Sequence, residues 1–361
     1  MRLLRFTTAD QLRDHAPEWD DLWLRSRCAW PTMRAVPLAH WLGTFAGDKP
    51  CTILAVEHDG RYLAALPLYH ETAGGWWQLA RLPGGDLCSV GDLLCDTSLE
   101  HDPCGPLSLL ALALSELPGG LARFDAMFPQ TTRWQSFVSA LAALGCQTTL
   151  RERGLTGIVR IDGDWPNYWA GRSRNLRRQM KVAQTRAETD GQLALRLFYN
   201  PADDELARLL DRGFEVENRS WKGREGTSVL QTPGAYPFFA EQARLIGQAG
   251  ELLLVFLELD DRAIAFEYAW LAKRVYHSLK VGYDDAFQQL SPGQLLRLRL
   301  LQQFFLTREA NLIDFLGPIS EATGKWTTGT YPVARLWVGS GVLAKTALAA
   351  RSLVSSSYTG R

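Results

Sequence analysis

One five-residue segment, Glu57-His58-Asp59-Gly60-Arg61, can be laid without a gap over a second, Glu258-Leu259-Asp260-Asp261-Arg262. Glu, Asp and Arg fall at the same offsets, and apolar runs flank both copies. Each reads as the turn of a β-hairpin: Cys51–Glu57 with Tyr62–His70 in the first half, Leu252–Leu259 with Ala263–Leu271 in the second. The elements around them repeat in order. Strand 2–7, helices 10–25 and 36–46, the first hairpin, helix 106–117, strand 122–128, helix 134–144 and strand 157–161 make one series. Helix 165–189, strand 193–199, helices 201–219 and 235–248, the second hairpin, strand 275–283, helix 294–307 and strands 312–316 and 332–338 make the other. Each half reads strand, helices, antiparallel hairpin, helix, strand, which implies two α/β domains with mixed (α+β) sheets. The expected division is 1–160, 161–345 and a C-terminal tail, 346–361.

Composition narrows the function classes. The 361 residues suffice for two or three domains of about 100–200 residues each. The formal net charge is zero, so bulk electrostatics do not mark a nucleic-acid or membrane-surface binder. Six cysteines, Cys28, Cys51, Cys88, Cys95, Cys104 and Cys146, lie in the first half with no C-x-x-C pair, and are expected to be reduced core thiols. The early residues hold Asp10, Arg13, Asp14 and Glu18 where a signal peptide would need an apolar stretch. No apolar run reaches the roughly 20 residues of a membrane helix. A cytoplasmic protein without a membrane span is expected, with no nucleic-acid partner and no metal site, since neither H-E-x-x-H nor zinc-type spacing occurs.

The second half carries the chemistry-bearing segments. Ser291-Pro292-Gly293-Gln294 offers an N-cap and a Pro at the first helical position ahead of Leu295, Leu296, Leu298, Leu300, Leu301, Phe304 and Phe305. The start of a helix after a strand is a ready anion site. Arg172, Arg174, Arg177, Arg178, Lys181 and Arg186 fall within fifteen residues, with Leu176, Met180, Ala183 and Ala187 as the buried stripe. Arg174, Arg178 and Lys181 share a face that is either solvated or a clamp for the phosphates of coenzyme A or of tRNA. Glu217 stands at the C-terminal end of its helix, where a negative charge opposes the dipole. Trp221 and Lys222 follow in a Gly-punctuated loop. Glu267 is a mid-strand carboxylate that must be paired or functional. His277 and Tyr283 are expected in phase on one strand, and Asp314 lies in another.

In order and spacing, Trp169-Ala170-Gly171-Arg172-Ser173-Arg174-Asn175-Leu176-Arg177-Arg178, Glu217 to Gly223, Tyr283-Asp284, Leu290 to Leu296, Asp314-Phe315-Leu316-Gly317 and Lys325-Trp326 resemble the CelD/BcsL-type branch of the GNAT superfamily. That branch is associated with bacterial cellulose biosynthesis. The resemblance spans about 160–335, with a fainter match at Leu82-Pro83-Gly84-Gly85 and Ser89-Val90-Gly91-Asp92. It implies tandem GNAT-like folds, as in the Fem peptidyl transferases, and N-acyl transfer from acyl-CoA, commonly acetyl-CoA. The phosphate loop departs from the family's Gln/Arg-x-x-Gly-x-Gly/Ala, because Leu290-Ser291-Pro292-Gly293-Gln294-Leu295 holds one glycine.

On this reading Ser291, Pro292, Gly293, Gln294, Arg174, Arg178 and Lys181 hold the donor. Glu267 leads as general base, followed by Glu217, with His277 and Asp314 as further candidates. Trp221, Lys222, Tyr283, Lys325 and Trp326 are candidate acceptor contacts. Glu217, Trp221, Lys222, Glu267, His277 and Asp314 are expected to converge on one cleft between the halves. The expected reaction is direct attack of an amine or hydroxyl of a small-molecule, sugar or carrier-bound acceptor on the thioester. Two alternatives stand beside it: an aminoacyl-tRNA-dependent transferase of the Fem kind, and a non-catalytic GNAT-like binding protein in polysaccharide assembly.

Overall fold

The structure is a computed structural model that describes residues 1–75, 77–85 and 91–358. Cys88 and the Ser89-Val90 part of the faint motif lie outside these residues. By contacts the chain divides into two compact units, Met1–Leu155 together with Tyr331–Arg361, and Thr156–Thr330.

The first unit contains β1 (Arg2–Phe6), α1 (Ala9–Asp14), α2 (Ala16–Arg25), α3 (Ala35–Trp41), β2 (Cys51–His58), β3 (Arg61–Ala73), β4 (Trp77–Arg81), the two-residue β5 (Leu94–Cys95), α4 (Pro106–Ser115), β6 (Leu121–Met127) and α5 (Thr132–Ala143). β7 (Gln147–Arg160) runs across the division. The second unit continues with α6 (Trp165–Ala170), α7 (Arg174–Asp190), β8 (Leu193–Tyr199), α8 (Asp203–Asn218), α9 (Trp221–Arg224), α10 (Ala235–Gln248), β9 (Leu252–Leu259), β10 (Arg262–Ala272), β11 (Val275–Tyr283), α11 (Pro292–Thr307), β12 (Leu312–Pro318) and α12 (Glu321–Gly324). The chain closes with β13 (Gly329–Gly339) and α13 (Gly341–Tyr358).

Among the described residues the first unit's sheet runs β1-β2-β3-β4-β6-β13 and the second's runs β8-β9-β10-β11-β12-β7. The senses match as well as the order: three antiparallel pairs, one parallel pair (β4 with β6, β11 with β12), then one antiparallel pair. The fold is therefore a repeat of one mixed α/β unit. The aligned hairpins share their turn, with φ of 50° and 79° at Asp59 and Gly60 and 47° and 63° at Asp260 and Asp261. Both central residues are left-handed, as a two-residue turn matched to strand twist requires. The aligned glutamates also share a role: Glu57 pairs with Arg2 of β1, and Glu258 with Arg196 of β8.

Two expectations change. Residues 331–345 group with the first unit, because β13 pairs with β6. The helix expected over 165–189 is broken at Gly171-Arg172-Ser173. Arg172 there donates to the carbonyls of Trp326 and Thr327, at 3.2 and 2.6 Å, and stacks on Tyr168. Ser173 then restarts the helix by accepting from the Leu176 amide. The described cysteines are free, as expected of reduced thiols: Cys28, Cys51, Cys95 and Cys146 are buried and Cys104 is exposed. No helix among the described residues is long and apolar enough to cross a membrane.

The second unit's core has two layers. On one face of the sheet α7 and α11 cover Leu253, Val255, Leu257 and Tyr276. On the other, Phe214 of α8 packs edge-on against Phe266, and Phe239 of α10 against Tyr268. β9 is buried along its whole length, as expected for a strand covered on both faces. α8 lies so close to β11 that a Cβ on Gly282 would stand 2.4 Å from the Cα of Glu217. Backbone cannot yield there, so Gly282→Ala lowers the unfolding free energy by about 1–3 kcal/mol. The urea midpoint reads this, and an unchanged midpoint refutes the packing.

Candidate functional site

The feature that organises the site is a short ladder. β11 and β12 are parallel neighbours over only three pairs, Val275 with Leu312, Tyr276 with Ile313 and His277 with Asp314. Beyond that rung β12 breaks register with β7, and Leu316 turns to a φ of 56° with its amide held by Asp314 Oδ1 at 2.8 Å. The rest of β11, Ser278–Tyr283, runs on past the last rung. A fork between the carboxyl ends of parallel strands is where open α/β sheets receive ligands.

The chain leads from β11 into α11. Pro292 occupies the first helical position, as the sequence suggests. Ser291 sits at the cap position but is left-handed (φ 52°, ψ 53°), and its side chain makes no capping bond. The amides of Gln294 and Leu295 both bond to the Ser291 carbonyl. Gly293 is open toward solvent: a Cβ there would meet only Tyr283 Cδ1, at an ordinary 3.5 Å. Tyr283 thus borders the start of α11. Gln294 is already engaged, its Oε1 accepting from Trp326 Nε1 at 2.8 Å.

Beside α11, a groove of about 800 Å³ runs along α7, lined by Trp169, Arg174, Arg178, Lys181 and, from α11, Leu298 and Gln302. Arg174, Arg177, Arg178 and Lys181 are exposed, and none forms an ion pair among the described residues. Lys325 lines a smaller groove of about 310 Å³ at the start of α7, with Ser173 and Gln179. Among the described residues no group of three His, Cys, Asp or Glu side chains could hold a metal ion.

The six residues expected in one cleft fall on two faces of the second unit's sheet. Phe266 meets α8, so its neighbour Glu267 points the other way, toward α11. There Glu267 is fully buried and Arg297 Nη2 lies 3.2 and 3.1 Å from its two oxygens. Arg297 also donates to Ser278 Oγ at 3.1 Å and stacks on Phe315. Burial, followed by the charge of Glu267, drives the adjacent Tyr276 hydroxyl well above its ordinary pKa. Glu267 is enclosed and charge-paired, so its mid-strand carboxylate is explained by packing and not by access to substrate.

Glu217 lies on the opposite face. Its Oε1 accepts from Lys222 Nζ at 2.8 Å and its Oε2 from the Val229 amide at 3.1 Å. Lys222 Nζ also donates to the Val281 carbonyl of β11 at 2.8 Å. The pair pins the segment after α8 to β11. That segment is not the loop expected from its glycines: Trp221 and Lys222 open the short helix α9, capped by Ser220, and Trp221 is 44% exposed.

His277 and Tyr283 also separate, because a bulge at Tyr268/Ala269 shifts the register with β11 between Ser278 and Lys280. His277 meets Trp270 edge-on, on the α10 face, while Tyr283 packs into the α7–α11 core. Asp314 lies across the rung from His277, its neighbours Ile313 and Phe315 both pointing into the α11 core. These two therefore share a face at the base of the fork. Trp326, expected at an acceptor, is instead buried, stacked on Trp169 and bonded to Gln294.

Asp284 was named in sequence only as part of a motif. It caps the turn before α11 through the Ala286 amide, and it accepts from Arg262 at 2.9 Å and pairs with Arg219 at 3.2 Å. Its signal was position: an Asp directly after a strand and ahead of a helix.

Residues 174–323 match the family described as "Acetyltransferase (GNAT) domain". No curated protein matches the chain. Among solved structures the fold is similar to FemX, with a TM-score of 0.59 at 13% identity, covering 94% of this chain and 97% of that one. It is similar to the C-terminal (DUF2156) domain of a putative lysylphosphatidylglycerol synthetase from Agrobacterium fabrum, with a TM-score of 0.56 at 13% identity, covering 95% and 97%. It also resembles L-PGS from Bacillus licheniformis, at 0.51 and 12%, covering 94% and 96%. At these identities the likeness is one of fold. The fork, the helix that follows it and the basic groove all lie within or beside residues 174–323, the span that matches the acetyltransferase (GNAT) domain family.

Proposed function

We propose that the second unit transfers an acyl group from acyl-CoA to an amine or hydroxyl of a small-molecule, sugar or carrier-bound acceptor, within the CelD/BcsL-type branch. The observation that carries this reading is the fork at His277/Asp314 followed by a helix start with an unobstructed glycine. In the first turn of α11 Pro292 has no amide and those of Gln294 and Leu295 bond to Ser291, which leaves the Gly293 amide for a ligand, and the dipole adds about half a positive charge. Gly293 lets a phosphate approach that backbone, with Ser291 and Pro292 shaping the turn and Gln294 holding Trp326. Arg174, Arg178 and Lys181, unpaired along the groove, supply counter-charge to further phosphates.

The acceptor nitrogen attacks the thioester carbonyl, the C–N bond forms and the C–S bond breaks. The amine proton leaves to a base while coenzyme A departs as the thiol. Of the four proposed acid–base residues, His277 and Asp314 face one another across the last rung at the base of the fork, and the role is assigned to them on that position. An acetyl donor and a cytoplasmic setting complete the proposal.

A second reading, an aminoacyl-tRNA-dependent transferase of the Fem kind, is favoured by the four unpaired cations of α7. It predicts tRNA binding that weakens steeply with salt and is lost when Arg174, Arg177, Arg178 and Lys181 are changed to Gln. Turnover of acyl-CoA without any tRNA binding dismisses it.

Gly293→Val should weaken CoA binding about tenfold or more, a loss of about 1.4 kcal/mol, with the thermal midpoint kept. Gly293→Ala, whose Cβ meets Tyr283 at 3.5 Å, is the milder companion. Parent-like CoA affinity in both variants, by calorimetry, removes the donor site. His277→Gln should lower kcat by about a hundredfold or more with CoA affinity intact, and an unchanged kcat would falsify its role. Glu267→Gln behaves oppositely. Leaving Arg297 buried without its carboxylate costs about 3–5 kcal/mol of stability, while turnover per folded molecule holds.

A further inference from the structure

The first unit has its own fork. β4 and β6 are parallel over Leu79 with Leu121, Ala80 with Ala122 and Arg81 with Arg123, and there the ladder stops. The rung that carries His277 and Asp314 in the second unit carries two arginines here. A cavity of about 510 Å³ opens at this point, lined wholly by residues of the first unit. Its size is that of a small-molecule pocket.

Three strands aim the same dipeptide at it. Ala80-Arg81, Ala122-Arg123 and Ala334-Arg335 each put the alanine into the core under α4 and α5 and the arginine into the cavity. All three guanidinium groups meet one carboxylate, Asp125, at 2.6, 2.9 and 2.5 Å, and Arg153 reaches it at 3.9 Å. Glu71 takes Arg81 at 2.6 Å and Lys49 at 3.6 Å. Among the described residues the lining thus sets five cations, Lys49 among them, against two carboxylates, an excess of three positive charges.

Burial raises the Asp125 carboxyl, but Arg123, Arg335 and Arg81 more than reverse this, and it stays below the ordinary carboxylate range. It is therefore already ionised and has no further charge to give. Guanidinium groups crowded on one carboxylate repel one another. A second anion relieves this, and planar forks suit phosphate oxygens. The cations adjoin an aromatic group: Trp41 packs on Phe45 and on Tyr69, each at 5.5 Å between ring centres, and Tyr69 also meets Arg81.

We propose that the first unit binds a phosphate-bearing organic molecule in this cavity, with the phosphate on the arginine cluster and a flat apolar body against Trp41, Phe45 and Tyr69. The phosphate dianion is favoured over a carboxylate because one negative charge leaves two of the three excess charges unmatched. The site is separate from the donor site and does not require that the second unit transfer acyl groups.

The test is calorimetry on the full chain in phosphate-free buffer, with phenyl phosphate, inorganic phosphate and benzoate as probes. Phenyl phosphate should bind at least about tenfold more tightly than either of the others. Arg335→Gln and Arg153→Gln should each weaken it about tenfold or more, with the thermal midpoint held or raised. Gly293→Val should leave it unchanged. Affinity for phenyl phosphate no better than for inorganic phosphate overturns the proposal, as does parent-like binding in both arginine variants or loss of binding in Gly293→Val. If Arg335→Gln does not fold, Arg153→Gln decides alone, because its half-exposed side chain bonds, among the described residues, only to Asp125.

Discussion

Parallel pairing that stops after three rungs is the constraint on which both units depend. A longer β11–β12 ladder would close the sheet over the space that α11 opens onto, and a longer β4–β6 ladder would remove the arginine-lined cavity. In the second unit the stop is built from a left-handed Leu316 whose amide is held by Asp314. In the first, β4 ends at Arg81, directly before Leu82-Pro83-Gly84-Gly85, and Pro83 has no amide to donate to a ladder. One architectural interruption thus appears twice, with a His–Asp rung in one copy and an Arg–Arg rung in the other. The two copies share the geometry and differ in charge.

Around each fork, the two faces of the sheet have different duties. In the second unit the α11 face holds an enclosed ion pair, Glu267 with Arg297, inside an apolar layer. The α8 face holds another, Glu217 with Lys222, which fastens the segment after α8 to β11 through the Val281 carbonyl. Both pairs are scaffolding on either side of one strand. They stiffen β11 where it has lost β12 as a neighbour, and a site that must hold a reacting pair of groups benefits from such support.

Strand and helix positions were legible because their signals are local. β8, β9, α10 and β11 fall at the residues that periodicity marks, and the hairpin match foretold two sheets with the same strand order. Facing was not legible where a bulge intervened. Alternation places His277 and Tyr283 together, and one shifted rung places them apart. Trp326, a candidate acceptor contact by its place after Gly324-Lys325, is a buried ring stacked on Trp169. The arginine cavity was missed although its signal is present. Three Ala-Arg pairs stand in three strands, but they are distant in sequence, and only the pairing of β13 with β6 brings Arg335 to Asp125.

That same pairing has a consequence for how the protein is made. The second unit has all its strands once residue 318 has been synthesised, since β7 precedes it. The first unit, although it begins at the N-terminus, lacks the strand beside β6 until Gly339 emerges. The sheet of the unit made first is thus completed last. Throughout synthesis of the second unit, β6 presents an open edge of the sort that recruits foreign strands. Arg123 and Asp125 lie along that edge, and charges on an exposed edge strand disfavour pairing with other chains.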